Sequence, residues 1–184
     1  MARRSIFLHL GPPAPGVTLL DQTLRRHELL LRTQGIRLPA TTAAETHHAA
    51  LEIRRAHREA GLRRRDVEGT WARICRRAYR HRGTSVMVAP DLAAADPDQI
   101  SLLLDGLAGL RVHLILTTGP RLADLLPRWE HRVPAERLHL ADPAHDPEAA
   151  AARLGQLVGF SLSGPPEISP VSAGATHPRR RSAL

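Results

Sequence analysis

Strand-like and helical patterns alternate along this chain and predict an α/β fold, a three-layer α/β/α sandwich around a parallel sheet. Three observations carry the prediction. Short apolar runs at 6–10, 84–89 and 112–117 read as strands. Amphipathic helical patterns separate them, and Gly or Pro marks nearly every junction. The first run stops at a Gly/Pro turn, Gly11 to Gly16, and a helical pattern follows from Thr18. Strand, Gly-rich turn and helix in that order place an anion on a helix N-terminus.

In chain order, Leu20, Leu24, His27 and Leu31 repeat at i, i+4, i+7 and i+11, an amphipathic helix for which Gly35 is the natural stop. Residues 36–39 read as a connection. A second helix is expected over 42–60, with Ala49, Ile53 and Ala56 on its apolar side and Gly61 at its end. Arg63-Arg64-Arg65 reads as a solvated loop, and a third helix over 67–81 puts Trp71, Ile74, Cys75 and Ala78 on one face. After the strand at 84–89, Pro90-Asp91 ends the run. Asp96-Pro97 is a helix start, Asp as N-cap and Pro at the first helical position, for a helix carrying Ile100, Leu103, Leu104 and Leu107. The strand at 112–117 closes at Thr118-Gly119-Pro120; a short helix over 121–126 and a weaker strand over 137–140 follow. Asp146-Pro147 opens a last helix that Gly159 closes.

At 184 residues the chain is long enough for one domain with a proper core, assigned to 1–163. The segment 164–184 is rich in Pro and Ser, ends in Arg179-Arg180-Arg181 and lacks apolar periodicity, so a disordered tail is expected there. Hydrophobic residues make up 42%, which suits a globular protein. All 26 basic residues are Arg, with no Lys and no Asn, a bias typical of GC-rich coding. The net charge of +8 is read in that light, and the stacking aromatics of single-strand readers are missing, so nucleic acid is not the expected partner. Cys75 stands alone, which excludes an intrachain disulfide and a Cys-based zinc site. His47-His48 and His57 lack a carboxylate or Cys cluster to complete a ligand set, so no metal is expected. The N-terminus lacks a signal h-region of roughly 7–15 apolar residues, and no run approaches about 18 apolar residues. A cytoplasmic protein without a membrane partner is the expectation.

Gly11 and Gly16 have the P-loop spacing G-x-x-x-x-G, and Thr18 stands where that motif ends in Ser/Thr. The Lys that should follow the second Gly is Val17. The scaffold of a phosphate cradle is therefore present without its main cation.

With these segments placed, the chain resembles the P-loop sulfotransferases, especially those of actinobacterial type. Their opening reads F-L-H-x-G-x-P-K-T-G-T-T, then a Leu-rich helix, G-[IV] and Pro. Here Phe7-Leu8-His9-Leu10-Gly11-Pro12-Pro13-Ala14-Pro15-Gly16-Val17-Thr18, then Gly35-Ile36 and Pro39, follow that outline. His48-x-Ala50-Leu51, Gly69-x-Trp71 and Gly83-Thr84 echo the family's middle. Val86-x-Val88-Ala89-Pro90-Asp91-Leu92 is similar to its V-x-[IL]-S-H-E strand end, and residues 112–117 to the strand before its T-x-R-D. Arg128-Trp129 and residues 133–140 resemble a later segment of the family. The similarity spans 5–160 loosely, in consistent order.

What the resemblance implies is sulfuryl transfer from 3′-phosphoadenosine 5′-phosphosulfate (PAPS) to a hydroxyl or amine of a small-molecule acceptor. The phosphosulfate would lie on the loop residues Gly11, Pro13, Ala14, Gly16, Val17 and Thr18, and Arg121 would meet the 3′-phosphate. Asp91 and His9 are the candidate catalytic groups, Asp91 as general base for the acceptor. The departures are as informative. Ala14 replaces the family's Lys and Pro15 its following Thr, removing a cation and an N–H donor. The segment ahead of Arg128 is also short, so the chain reads as a trimmed, degenerate relative whose activity is weak or lost. The alternative is a non-catalytic nucleotide- or anion-binding or protein-interaction domain on the same fold. In plain structural terms Thr18 reads as a helix N-cap, His9 as a hydrogen-bonded core histidine and Asp91 as a strand-end turn residue.

Overall fold

The computed structural model describes residues 4–11, 15–117, 122–141 and 146–162. Five parallel strands form one sheet in the order β2-β3-β1-β4-β5: β1 (Ser5–Leu10), β2 (Ile36–Arg37), β3 (Thr84–Val88), β4 (Arg111–Thr117) and β5 (Leu138–Ala141). With β1 at the centre and helices on both faces, this is the three-layer parallel α/β arrangement that the alternating pattern predicts. β1 registers Ile6 to Leu10 on Val112 to Leu116 and Ile6 to His9 on Ser85 to Val88.

Alternate β1 side chains serve two cores. Ile6, Leu8 and Leu10 pack with Met87, Leu114 and Leu116 beneath α3 (Ala43–Arg54), α5 (Thr70–Arg80), α6 (Pro97–Asp105) and α7 (Leu122–Glu130). Phe7, Val86, Val88 and Ile115 face the other way, against α1 (Pro15–Arg26), α2 (Glu28–Thr33) and α8 (Pro147–Val158). Trp71, Trp129 and the Cys75 thiol lie in the first core, where burial pushes the thiol pKa up to about 12.

Several boundaries differ from those the sequence predicts. α1 starts at Pro15, so Thr18 sits inside its first turn and is not its N-cap. Residues 36–37 are not a plain connection: they add edge strand β2 through Ile36↔Thr84 and Arg37↔Ser85. The helix from Thr42 ends at Arg54, because Arg55 turns left-handed (φ 56°). The Ala56 N–H then bonds Leu51 O and the Arg55 N–H bonds Glu52 O, while Ala56 packs on Leu51, a Schellman stop. Arg64 and Arg65 belong to a short helix, α4 (Arg64–Val67), rather than a loop. The expected helix over 67–81 splits at Gly69 (φ 76°), where Glu52 accepts from the N–H groups of Gly69 and Trp71 and caps α5. The helix expected at 121–126 is α7, longer at its C-terminal end. The starts read from Asp96-Pro97 and Asp146-Pro147 hold: each Asp accepts from two backbone N–H groups. The predicted tail, 164–184, lies outside the described residues.

At the top of β1, His9 is buried and its Nε2 lies 3.2 Å from Thr117 Oγ1 on β4. Burial drags its pKa down to about 4. Between pH 6.5 and 4 the unfolded chain binds a proton at this site that the folded chain does not, so folding weakens as pH falls through that window. His9→Gln keeps a partner for Thr117 and does not titrate. It should remove a pH-dependent loss on the order of 3 kcal/mol, read from denaturant midpoints of both chains across the window. Gly106 tests the first core: a Cβ there would collide with Trp71 Nε1 and come 3.2 Å from Cys75 Sγ. Gly106→Ala should cost about 1–3 kcal/mol in urea unfolding, and adding Trp71→Phe should recover part of it.

Candidate functional site

The helices on the two faces leave a crevice at the carboxyl ends of the central strands. α1 departs from β1 on one face, whereas the chain after β3 departs on the other, carrying Leu92 and Ala95 into the opposite core. Ligand crevices of open α/β sheets form where connections part in this way. Here it is a cleft of about 90 Å3. α1 contributes Val17, Thr18 and Asp21 to it, α3 contributes Ala43, Thr46 and His47, and the end of β3 contributes Val88, Pro90 and Asp91.

Among the described residues, the one direct polar contact between the lining side chains of this cleft joins His47 to Asp91, Nδ1 to Oδ2 at 2.7 Å. An ionised carboxylate has no proton to donate, so His47 Nδ1–H donates, and in the neutral imidazole the lone pair then lies on Nε2. This is how a carboxylate sets the tautomer and the ring orientation of a catalytic imidazole. Half of the His47 side chain is exposed (51%), so the ring is accessible from solvent.

Arginines in the next layer hold the cleft walls. Arg25 Nε donates to Asp21 Oδ2 at 2.7 Å and its Nη1 to Ala40 O at 2.9 Å, tying α1 to the loop before α3. Arg77 of α5 donates to Pro39 O on the same loop (2.6 Å) and to Glu45 of α3. Burial works to raise the Glu45 pKa, but hydrogen bonds from Arg77 and Thr41 outweigh it and hold the carboxyl below its ordinary value. Thr42 caps α3 by accepting from the Glu45 N–H. His47 is thereby placed by a helix that is fixed at its start.

The structure places Val17, Thr18 and Asp91 around one cleft, with Val17 buried and Thr18 exposed at the rim. Gly16 lies in the first turn of α1. Gly11 ends β1 against Thr117, and a Cβ on it would come within 2.8 Å of Thr117 Oγ1. His9 lies behind the cleft without lining it. Its lowered pKa leaves it neutral at physiological pH, so it supplies no cation to the turn. Pro13, Ala14 and Arg121 lie outside the described residues. Sequence reasoning missed His47 in this role, along with Asp21 and Thr46; His47 stood out only beside His48 and His57. Among the described residues no three His, Cys, Asp or Glu groups cluster as metal ligands, and no helix is long and apolar enough to cross a membrane.

No family model and no curated protein matches the chain. Among solved structures, the tunicamycin resistance protein of Deinococcus radiodurans is 18% identical, covering 89% of this chain and 100% of its own, with a TM-score of 0.49. A gluconokinase from Sinorhizobium meliloti 1021 is 14% identical over 84% of this chain and 94% of its own, with a TM-score of 0.41. Likenesses this distant carry nothing about activity.

Proposed function

We propose that this chain is a nucleotide-dependent transferase of the sulfotransferase kind, taking PAPS as donor and a hydroxyl- or amine-bearing small molecule as acceptor. The observation that carries this reading is the His47–Asp91 pair at 2.7 Å in the cleft beside the first turn of α1. The donor's anionic end would lie on the turn after β1, facing the N–H groups of Gly16 and Val17, which open a helix and so have no intrahelical partner. The acceptor would sit in the cleft, where Thr18 and Thr46 offer hydroxyls and, among the described residues, the lining charges are Asp21, Asp91 and, when protonated, His47. That lining suits a neutral or cationic acceptor.

In the transfer, the acceptor oxygen forms a bond to sulfur, and the bond from sulfur to the nucleotide's 5′-phosphate oxygen breaks. The acceptor's proton passes to His47 Nε2, and Asp91 stabilises the imidazolium. Asp91 thus serves as the orienting group and His47 as the base. Ala14 leaves the leaving-group oxygen without the family's Lys, and Arg121 is the proposed cation for the nucleotide. Each missing electrostatic donor costs about 10²–10³ in kcat, so turnover is slow.

A second reading, a nucleotide-binding domain without turnover, draws on Pro15: as the first residue of α1 it offers no N–H to a bound anion.

Two measurements separate these readings. Calorimetry with 3′-phosphoadenosine 5′-phosphate should show saturable binding that adenosine monophosphate does not match at this turn, weakened by Arg121→Ala. Absence of binding at millimolar nucleotide overturns both readings. Transfer of labelled sulfate from PAPS to a panel of alcohols and amines should then fall about 10²–10⁴-fold in His47→Ala, with nucleotide binding unchanged. Binding without any transfer leaves the non-catalytic domain.

A further inference from the structure

The opposite edge of the sheet holds a second cleft, independent of the reading above. It has a volume of about 510 Å3 and lies where β4 begins and β5 is about to begin, lined by Arg111, His113, Glu136 and Arg137 with Gly109 and Leu110. Arg111 is six residues upstream of Thr117 on the same strand, about 20 Å from the upper crevice.

Three features set this cleft apart from an ordinary basic surface. His113 is stacked on buried Phe7, ring centroids 4.3 Å apart and planes 14° apart, so its ring is fixed. Its Nδ1 lies 3.1 Å from His139 Nε2, and the two rings are themselves stacked at 5.4 Å. The positive charge of the cleft is poorly compensated. Arg137 meets Glu136 only at 3.9 Å, and the Glu136 side chain is 76% exposed. No ion pair is formed by Arg111 among the described residues.

We propose that this cleft binds the phosphate group of a small phosphate monoester, held by Arg111 and Arg137 with His113, itself backed by His139, at its floor. Two guanidinium groups suit a dianion, which each can meet through paired N–H donors. The volume exceeds what one phosphate fills and falls in the range of small-molecule sites.

The floor responds to its occupant. Burial first, then the charges of His139, Arg111 and Arg137, press the His113 pKa down to about 4, with Glu136 opposing weakly. β1 presents Phe7, which is uncharged, to the same ring. A dianion between the arginines reverses the sign of the local field and favours a proton on the imidazole pair. Binding therefore takes up a proton and tightens as pH falls toward the ordinary His range.

The test is NMR titration of the His113 ring in the full chain with adenosine monophosphate and with inorganic phosphate, at about pH 5.5 and about pH 8. Saturation by the monoester should move the His113 pKa upward by about one to three pH units. The Arg111→Gln/Arg137→Gln chain should bind about tenfold more weakly or worse, with its unfolding midpoint and its 3′-phosphoadenosine 5′-phosphate binding retained. Three results would each overturn the proposal: a His113 ring that does not respond at millimolar monoester, binding that survives the double substitution, or a monoester that binds no better than inorganic phosphate, meaning an ion site only.

Discussion

β1 is parallel to both of its neighbours, and most of the molecule follows from that constraint. A parallel strand cannot be joined to the next by a hairpin, so every connection must climb over a face of the sheet. Right-handed crossovers then decide which face. From β1 the chain moves outward to β2 over the α1 side; from β2, β3 and β4 it returns over the other side. The direction reverses once, at β2, which leaves β1 and β3 as neighbours whose onward connections depart on opposite faces, and the crevice opens between those two strand ends. The first turn of α1 and the His47–Asp91 pair share this crevice for the same reason.

Arginine does structural work inside this molecule. Arg25 and Arg77 grip the carbonyls of Ala40 and Pro39 while each also holds a carboxylate, Asp21 and Glu45. A planar guanidinium can serve a carbonyl and a carboxylate at once, which an ammonium point charge does with less directional control. The loop between β2 and α3 is fixed from both sides, and α3 carries His47 to Asp91 as a consequence. The overall charge of +8 therefore includes arginines committed to internal contacts.

Histidine shows how context assigns chemistry. His9, buried against Thr117, is a neutral core group. His47, with one nitrogen on a carboxylate and half its surface in solvent, has the arrangement of a base. His113, between Phe7 and His139 and near two arginines, is held neutral until an anion arrives. One residue type meets three environments, and the surroundings separate the roles.

Where local chemistry determines an element, the sequence by itself was sufficient. Asp96-Pro97 and Asp146-Pro147 start their helices through caps made within three residues, Gly35 and Gly159 stop theirs, and the apolar runs at β1, β3 and β4 read directly as strands. Only the tertiary structure decided the rest. β2 is two residues long and exists because β3 offers it a free edge. The end of α3 depends on Ala56 finding Leu51, and the start of α5 on Glu52 reaching across from α3. His47 and Asp91 are 44 residues apart, as are many pairs that never meet. Their contact exists because packing, not any local pattern, sets α3 against the end of β3.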